Sequence, residues 1–190
     1  MGQKQALLVI DVQNEYFTGA MPVTYPEGSL ANITRAMDHA HAAGIPVAVI
    51  QHTSPDPGAP VFCKGSHGWE LHDEIQKRHA DIVIEKALPG SFTGTGLGAW
   101  LEENGIGTVT IAGYMTQMCC DTTARQSVHL GYSVNFLSDA TGTLPIANAA
   151  GSVTAEELHR AILVTQQMRF ARVMQTEEWV REVPGRGLPG

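Results

Sequence analysis

Residues 6–10 read Ala-Leu-Leu-Val-Ile and run straight into Asp11-Val12-Gln13-Asn14. Five apolar side chains in a row, with no alternation, describe a strand buried on both faces, because successive strand residues point to opposite sides. The pattern returns at residues 46–50 (PVAVI), 82–84 (IVI), 109–112 (VTIA) and 134–137 (VNFL), and more weakly at 171–174 (ARVM). Strands of this kind belong in a parallel sheet covered on both sides by helices.

The intervening segments supply those helices. Leu30, Ile33, Met37 and Ala40 keep a helical spacing, and Gly44 with Pro46 marks the stop. Leu97, Trp100 and Leu101 repeat it before Asn104-Gly105, and Thr154 with Glu157 forms a capping box ahead of Leu158, Ile162 and Met168. The alternation predicts an α/β fold: a three-layer α/β/α, Rossmann-like domain around a doubly wound, mainly parallel six-stranded sheet. Residues 1–183 are expected to form one domain. Residues 184–190 (PGRGLPG) cannot continue a helix and are expected to be a flexible tail. Residues 53–68, rich in Pro and Gly and without periodicity, read as a binding loop, a lid or an interface insertion.

Composition narrows the function. The 190 residues carry 16% charged side chains, against about 25% in an average soluble protein. The formal charge of −7 argues against a polyanion-binding surface, so no nucleic-acid partner is expected. No apolar run approaches the ~18–20 residues of a membrane span, and no secretory signal opens the chain. Cys63, Cys119 and Cys120 make no disulfide framework. A cytoplasmic protein is expected, and its sparse charge hints that other subunits cover part of the surface.

In open α/β sheets, ligands bind beyond the carboxyl ends of the strands. There the chain places Asp11 after the first strand, Lys86 after the third, and Cys119 in a turn that follows Gly113 at the end of the fourth. Taken singly, Asp11 reads equally as a turn cap, Lys86 as a solvated lysine and Cys119 as an inert buried thiol. Together they make a nucleophilic site: a thiol, a carboxylate to take and return its proton, and a cation beside them. Thr116 reads as an N-cap, which would set Cys119 in a first helical turn, where dipole and free amides favour thiolate and can hold an oxyanion. Of the four lysines, Lys4, Lys64, Lys77 and Lys86, only Lys86 follows a buried strand at this edge.

Three separated motifs then resemble the isochorismatase-like cysteine hydrolase superfamily. They are Leu8-Val9-Ile10-Asp11-Val12-Gln13-Asn14, Val83-Ile84-Glu85-Lys86 through Ser91-Phe92, and Gly113-x-x-Thr116-x-x-Cys119, continued by Ala124, Gly131-Tyr132 and Asp139-Ala140. The resemblance implies a catalytic triad of Asp11, Lys86 and Cys119, a cis peptide at Tyr114–Met115, and an oxyanion hole from the amides of Met115 and Cys119. It also implies a homo-oligomer, dimer or tetramer. Isochorismatases proper hydrolyse a vinyl ether and generally lack the nucleophilic cysteine, so Cys119 favours C–N hydrolysis of a small carboxamide or carbamoyl compound through a thioester. This is the chemistry of nicotinamidases and N-carbamoylsarcosine amidases. Nicotinamidases carry an Asp-x-His metal cluster after the second strand, where this chain reads Gln51-His52-Thr53.

No other histidine fits a zinc spacing, and no dinucleotide or phosphate-loop motif is present, so no metal and no cofactor are expected. His52 reads as a substrate contact or a hydrogen-bond cap; His129 and His159 read as structural. Gln13, Tyr16, Trp69, Phe92 and Tyr114 are the candidate substrate-binding residues, with core packing an equal reading for the aromatics. The rival readings are acid–base vinyl-ether hydrolysis at Asp11 with Cys119 a passenger, and a silent α/β scaffold. A redox role for adjacent Cys119 and Cys120 fits poorly with disulfide geometry.

Overall fold

A computed structural model describes residues 4–183. Six strands form one parallel sheet: β1 (Lys4–Ile10), β2 (Val47–His52), β3 (Ile82–Lys86), β4 (Ile106–Tyr114), β5 (Ser133–Gly142) and, at the far edge, β8 (Arg172–Met174). Their spatial order is β3-β2-β1-β4-β5-β8, so the direction of winding reverses between β1 and β4. All six expected strands are present, including the weak last one. Between β5 and β8 lies a short antiparallel hairpin, β6 (Ile146–Asn148) with β7 (Gly151–Val153).

The pleat sorts each central strand onto two cores. Leu7 and Val9 of β1, with Val47 and Val49 of β2, face one layer; Ala6, Leu8 and Ile10, with Ala48 and Ile50, face the other. The first layer includes α1 (Ser29–Ala43) and α6 (Thr176–Glu182), through Ile33, Met37 and Trp179. The second includes α3 (Leu97–Glu103) and α4 (Asp121–His129), through Leu97, Leu101 and Ala124. A one-turn α2 (Asp73–Gln76) precedes β3. Helix α1 stops where Gly44 takes φ 68°, a left-handed close that glycine adopts without penalty. Helix α5 (Ala155–Thr165) begins on Thr154 with the expected capping box. It runs into a π-turn, Gln166–Phe170.

One irregularity shapes the site. While β4 advances from Ile111 to Gly113, its partner β5 advances from Phe136 to Thr141, so the intervening residues of β5 bulge out of register. Asp139 in this bulge accepts Thr176 N and Oγ1, both at 2.7 Å, and so caps α6. The tail expected over residues 184–190 lies outside the described residues. No helix among the described residues is long and apolar enough to cross a membrane.

Candidate active site

The carboxyl ends of β1, β3 and β4 meet at the reversal of winding. β1 hands the chain to Asp11, whose φ of 52° lies in the left-handed region. That conformation costs a non-glycine residue roughly 1–3 kcal/mol and tends to be kept where function needs it. Two hydrogen bonds hold it: Asp11 N to Ile50 O at 2.9 Å and Gln13 N to Asp11 O at 2.8 Å. Across from it, Gly113 takes φ 117°, and a Cβ there would overlap the Ile10 carbonyl oxygen. Only glycine lets β1 and β4 approach this closely.

Beyond Gly113 the chain crosses a cis Tyr114–Met115 peptide and enters a π-turn, Thr116–Cys120, that feeds α4. The N-cap is Met115 rather than the expected Thr116, whose hydroxyl is bonded instead to His159 Nδ1 at 2.8 Å. The Met115 carbonyl accepts the amides of Met118 (3.1 Å) and Cys120 (3.2 Å), leaving the Cys119 amide out of that pair.

Asp11, Lys86 and Cys119 come together. Lys86 Nζ lies 2.8 Å from Asp11 Oδ2 and 3.3 Å from Cys119 Sγ, and it donates to Leu88 O at 3.1 Å. The Asp11 and Lys86 side chains are fully enclosed, and Cys119 is 7% exposed. Lys86 is the charged partner of the Asp11 carboxylate, and both side chains are shut off from the surface. Burial accordingly raises the Asp11 pKa above the ordinary 3.8, against the opposing pull of Lys86. Burial also works against the Lys86 ammonium, but Asp11 and Cys119 outweigh it and keep the lysine charged. For Cys119, burial and the Asp11 charge push the thiol up, with Lys86 opposing. The enclosure of Cys119 therefore works against the thiolate that a helix terminus favours. Cys120, wholly buried, is likewise pushed well up by burial and by its neighbour Cys119.

The Lys86 segment is pinned to the helix behind the nucleophile. Ser91 N and Oγ both bond Thr123 Oγ1, at 3.1 and 2.8 Å, which docks residues 86–92 on α4. His52, at the end of β2, places Nδ1 3.5 Å from Lys86 Nζ; burial and that charge lower its pKa to about 4, so it is neutral.

The candidate substrate-binding residues separate. Gln13 is fully buried and bonded to His52 O (2.9 Å), His52 N (2.8 Å) and Trp69 O (2.7 Å); it ties the end of β2 to the following loop. Tyr16 and Tyr114 are buried edge to face, 5.6 Å apart, and the Tyr114 hydroxyl meets Ser29 Oγ at 3.0 Å, so both are core. Trp69 is half-buried, bonded through Nε1 to Thr53 Oγ1 at 2.8 Å. Phe92 stacks on Tyr132 and lines a groove between α3 and α4 with Gln126 and Leu130, apart from the triad. Phe62, which sequence reasoning passed over, is buried from the 53–68 loop against Tyr16 (5.2 Å) and His52 (5.1 Å). A single aromatic in a Pro/Gly-rich stretch was its only signal. Among the described residues no cluster of three or more His, Cys, Asp or Glu side chains is arranged to hold a metal ion.

A doubly wound sheet with a thiol, a carboxylate and a lysine enclosed at its switch point holds together the groups that nucleophilic hydrolysis needs. The isochorismatase domain model matches residues 5–178, and the chain belongs to the isochorismatase family. It is 34% identical over 177 residues to the isochorismatase family protein YddQ of Bacillus subtilis, covering 93% of this chain and 98% of that one. It is 31% identical over 192 residues to Nicotinamidase 3 of Arabidopsis thaliana, covering 95% and 89%. A crystal structure from Burkholderia xenovorans LB400, provisionally designated an isochorismatase, superposes with a TM-score of 0.93 at 50% identity, covering 96% and 88%. With relatives of this kind, the protein is a hydrolase.

Proposed function

We propose that this hydrolase cleaves the C–N bond of a small carboxamide or carbamoyl compound through a thioester on Cys119. The observation that carries the proposal is the enclosed cluster in which one ammonium lies 2.8 Å from a carboxylate and 3.3 Å from a thiol. A raised Asp11 pKa makes the carboxylate a better base, and a buried thiol 3.3 Å from a cation gains most when it ionises only as it attacks. Asp11 takes the thiol proton as Sγ bonds to the carbonyl carbon. The amides of Met115 and Cys119 receive the tetrahedral oxyanion. Collapse breaks the C–N bond, and Asp11 returns the proton to the departing ammonia or amine. Asp11 then deprotonates a water that attacks the thioester, releasing the acid and restoring the thiol. Lys86 balances the negative charge throughout. The Arabidopsis relative, named for an amide substrate, supports this choice over vinyl-ether hydrolysis.

The test is ammonia release across small amides and carbamoyl compounds, with Cys119→Ala as control and mass spectrometry of trapped enzyme. An inactive, folded Cys119→Ala variant and an acyl mass on Cys119 are expected. Wild-type turnover by that variant overturns the covalent route and favours acid–base chemistry at Asp11. We infer in addition a homo-oligomer in the cytoplasm. Val164 and Met168 stay 65% and 78% exposed on and after α5, as a covered face would require, and the three cysteines are free, as a reducing compartment allows. Sedimentation reads the assembly state.

A further inference from the structure

His159 sits on α5, far in sequence from the three motifs, yet it reaches the turn that carries the nucleophile. Its ring is 4% exposed and bonded at both nitrogens: Nε2 to Ser138 O at 2.9 Å and Nδ1 to Thr116 Oγ1 at 2.8 Å. A carbonyl can only accept, so Nε2 carries the proton. In a neutral ring Nδ1 then accepts, and the Thr116 hydroxyl donates. Ser138 lies in the stretch where β5 bulges out of register with β4, so its carbonyl is turned to the helix rather than to the neighbouring strand. The ring's other close neighbour is Tyr25, edge to face at 5.5 Å.

Thr116 is the first residue of the π-turn, directly after Met115, and it is wholly buried. The next residue, Gln117, is held as well, by Thr143 Oγ1 donating to its Oε1 at 2.7 Å. The turn is thus tied at Thr116 to His159 of α5 and at Gln117 to Thr143, the residue that follows β5. From this geometry we propose that His159 is a positioning residue for catalysis: acting through Thr116, it fixes the Met115–Cys119 turn so that its two amides are aligned before substrate arrives. A displacement of even ~1 Å in such a turn costs on the order of a hundredfold in rate, because a donor aimed at the wrong point no longer stabilises charge that develops only in the transition state. The inference rests on the thioester reading above, and the experiment separates the two.

The test uses conservative replacements that keep one bond each. Asn at 159 presents its amide oxygen where Nδ1 sits and retains the Thr116 contact. Gln presents its amide nitrogen where Nε2 sits and retains the Ser138 contact. Thr116→Val removes the donor with little change in shape. With a substrate found by ammonia release, His159→Gln and Thr116→Val are expected to lower kcat roughly tenfold to a hundredfold at unchanged KM. His159→Asn is expected to stay within about threefold of wild type. The double variant Thr116→Val/His159→Gln should fall no further than either single change, since both break one contact. Wild-type kcat in Thr116→Val, or additive losses in the double variant, overturns the proposal. So does a pattern in which Gln rescues and Asn does not, which would make Ser138 anchoring the whole role. Circular dichroism and thermal melts establish that each variant is folded. Activity surviving in Cys119→Ala overturns the thioester reading and with it the positioning role of His159, whereas an inactive Cys119→Ala together with wild-type kcat in Thr116→Val overturns the positioning role alone.

Discussion

Replacing Lys86 by Met removes the cation paired with the enclosed carboxylate while keeping most of the side chain. Asp11 would then be an unpaired charge in an enclosed site, and losing one partner of a buried pair typically costs about 3–5 kcal/mol. The protein has a cheaper escape, which is to protonate Asp11. An ordinary aspartate of pKa 3.8 lies 3.2 pH units below neutrality, and at about 1.36 kcal/mol per unit its protonation at pH 7 costs about 4.4 kcal/mol. The Asp11 pKa is already above 3.8, so the escape costs less than that and caps the penalty near 4 kcal/mol. In the variant the folded-state pKa is raised well above the unfolded value. Stability is therefore fully present below the unfolded pKa and is lost as pH rises toward the folded one. The gap between variant and wild type should be small near pH 4 and widen by up to about 1.4 kcal/mol per pH unit, one proton's worth. Urea denaturation at pH 4.5, 5.5, 6.5 and 7.5 measures it. Adding Asp11→Asn to Lys86→Met should recover most of the loss at pH 7 by removing the stranded charge. A penalty independent of pH, or no recovery in the double variant, refutes the account of Lys86 as counter-ion to a buried carboxylate.

The remaining predictions follow from the same geometry. In the proposed thioester route Asp11 is ionised when it takes the thiol proton, so kcat/KM should fall on the acid side with a midpoint above 3.8; a midpoint at or below that value would contradict the buried carboxylate. Gly113→Ala forces a Cβ into the Ile10 carbonyl oxygen at a φ of 117°, and it should cost more than ~2 kcal/mol in urea or fail to fold, whereas a neutral result means β1 and β4 can separate there. Gln13→Ala breaks three hydrogen bonds to the backbone of His52 and Trp69 and should destabilise by roughly 1–3 kcal/mol, with faster hydrogen exchange at the His52 amide, which donates to the Gln13 side chain. Unchanged exchange at that amide would count against Gln13 as the tie between the β2 end and its loop.

Much of the fold was legible because the central strands are buried on both faces, and that condition leaves unbroken apolar runs such as residues 6–10 and 46–50. The same holds for the left-handed stop at Gly44 and the capping box at Thr154, which are local hydrogen-bond arrangements written in adjacent residues. The β6–β7 hairpin escaped notice because Ile146–Asn148 and Gly151–Val153 are three-residue strands built largely of Ala, Asn, Gly and Ser, which carry no strand signal. Helix α6 escaped too, although its Trp179 is buried in the core and bonds Gln5 Oε1 at 3.2 Å, a contact between opposite ends of the chain.

The candidate residues Asp11, Lys86 and Cys119 were read from where strands end, and their convergence on one edge was expected and is found. The path by which they meet was not legible: β2 lies between β3 and β1, and Lys86 reaches Asp11 past the end of β2. Strand order is a long-range property with no local signature. Nor does the sequence show how enclosed Cys119 is: a helix start and a nearby lysine favour thiolate, while burial in the folded site pushes the thiol pKa up. His159 is the sharpest case. As a histidine on an amphipathic helix it reads as structural, and its link to the nucleophile turn exists only because the bulge in β5 and the packing of α5 bring Ser138 and Thr116 to its two nitrogens.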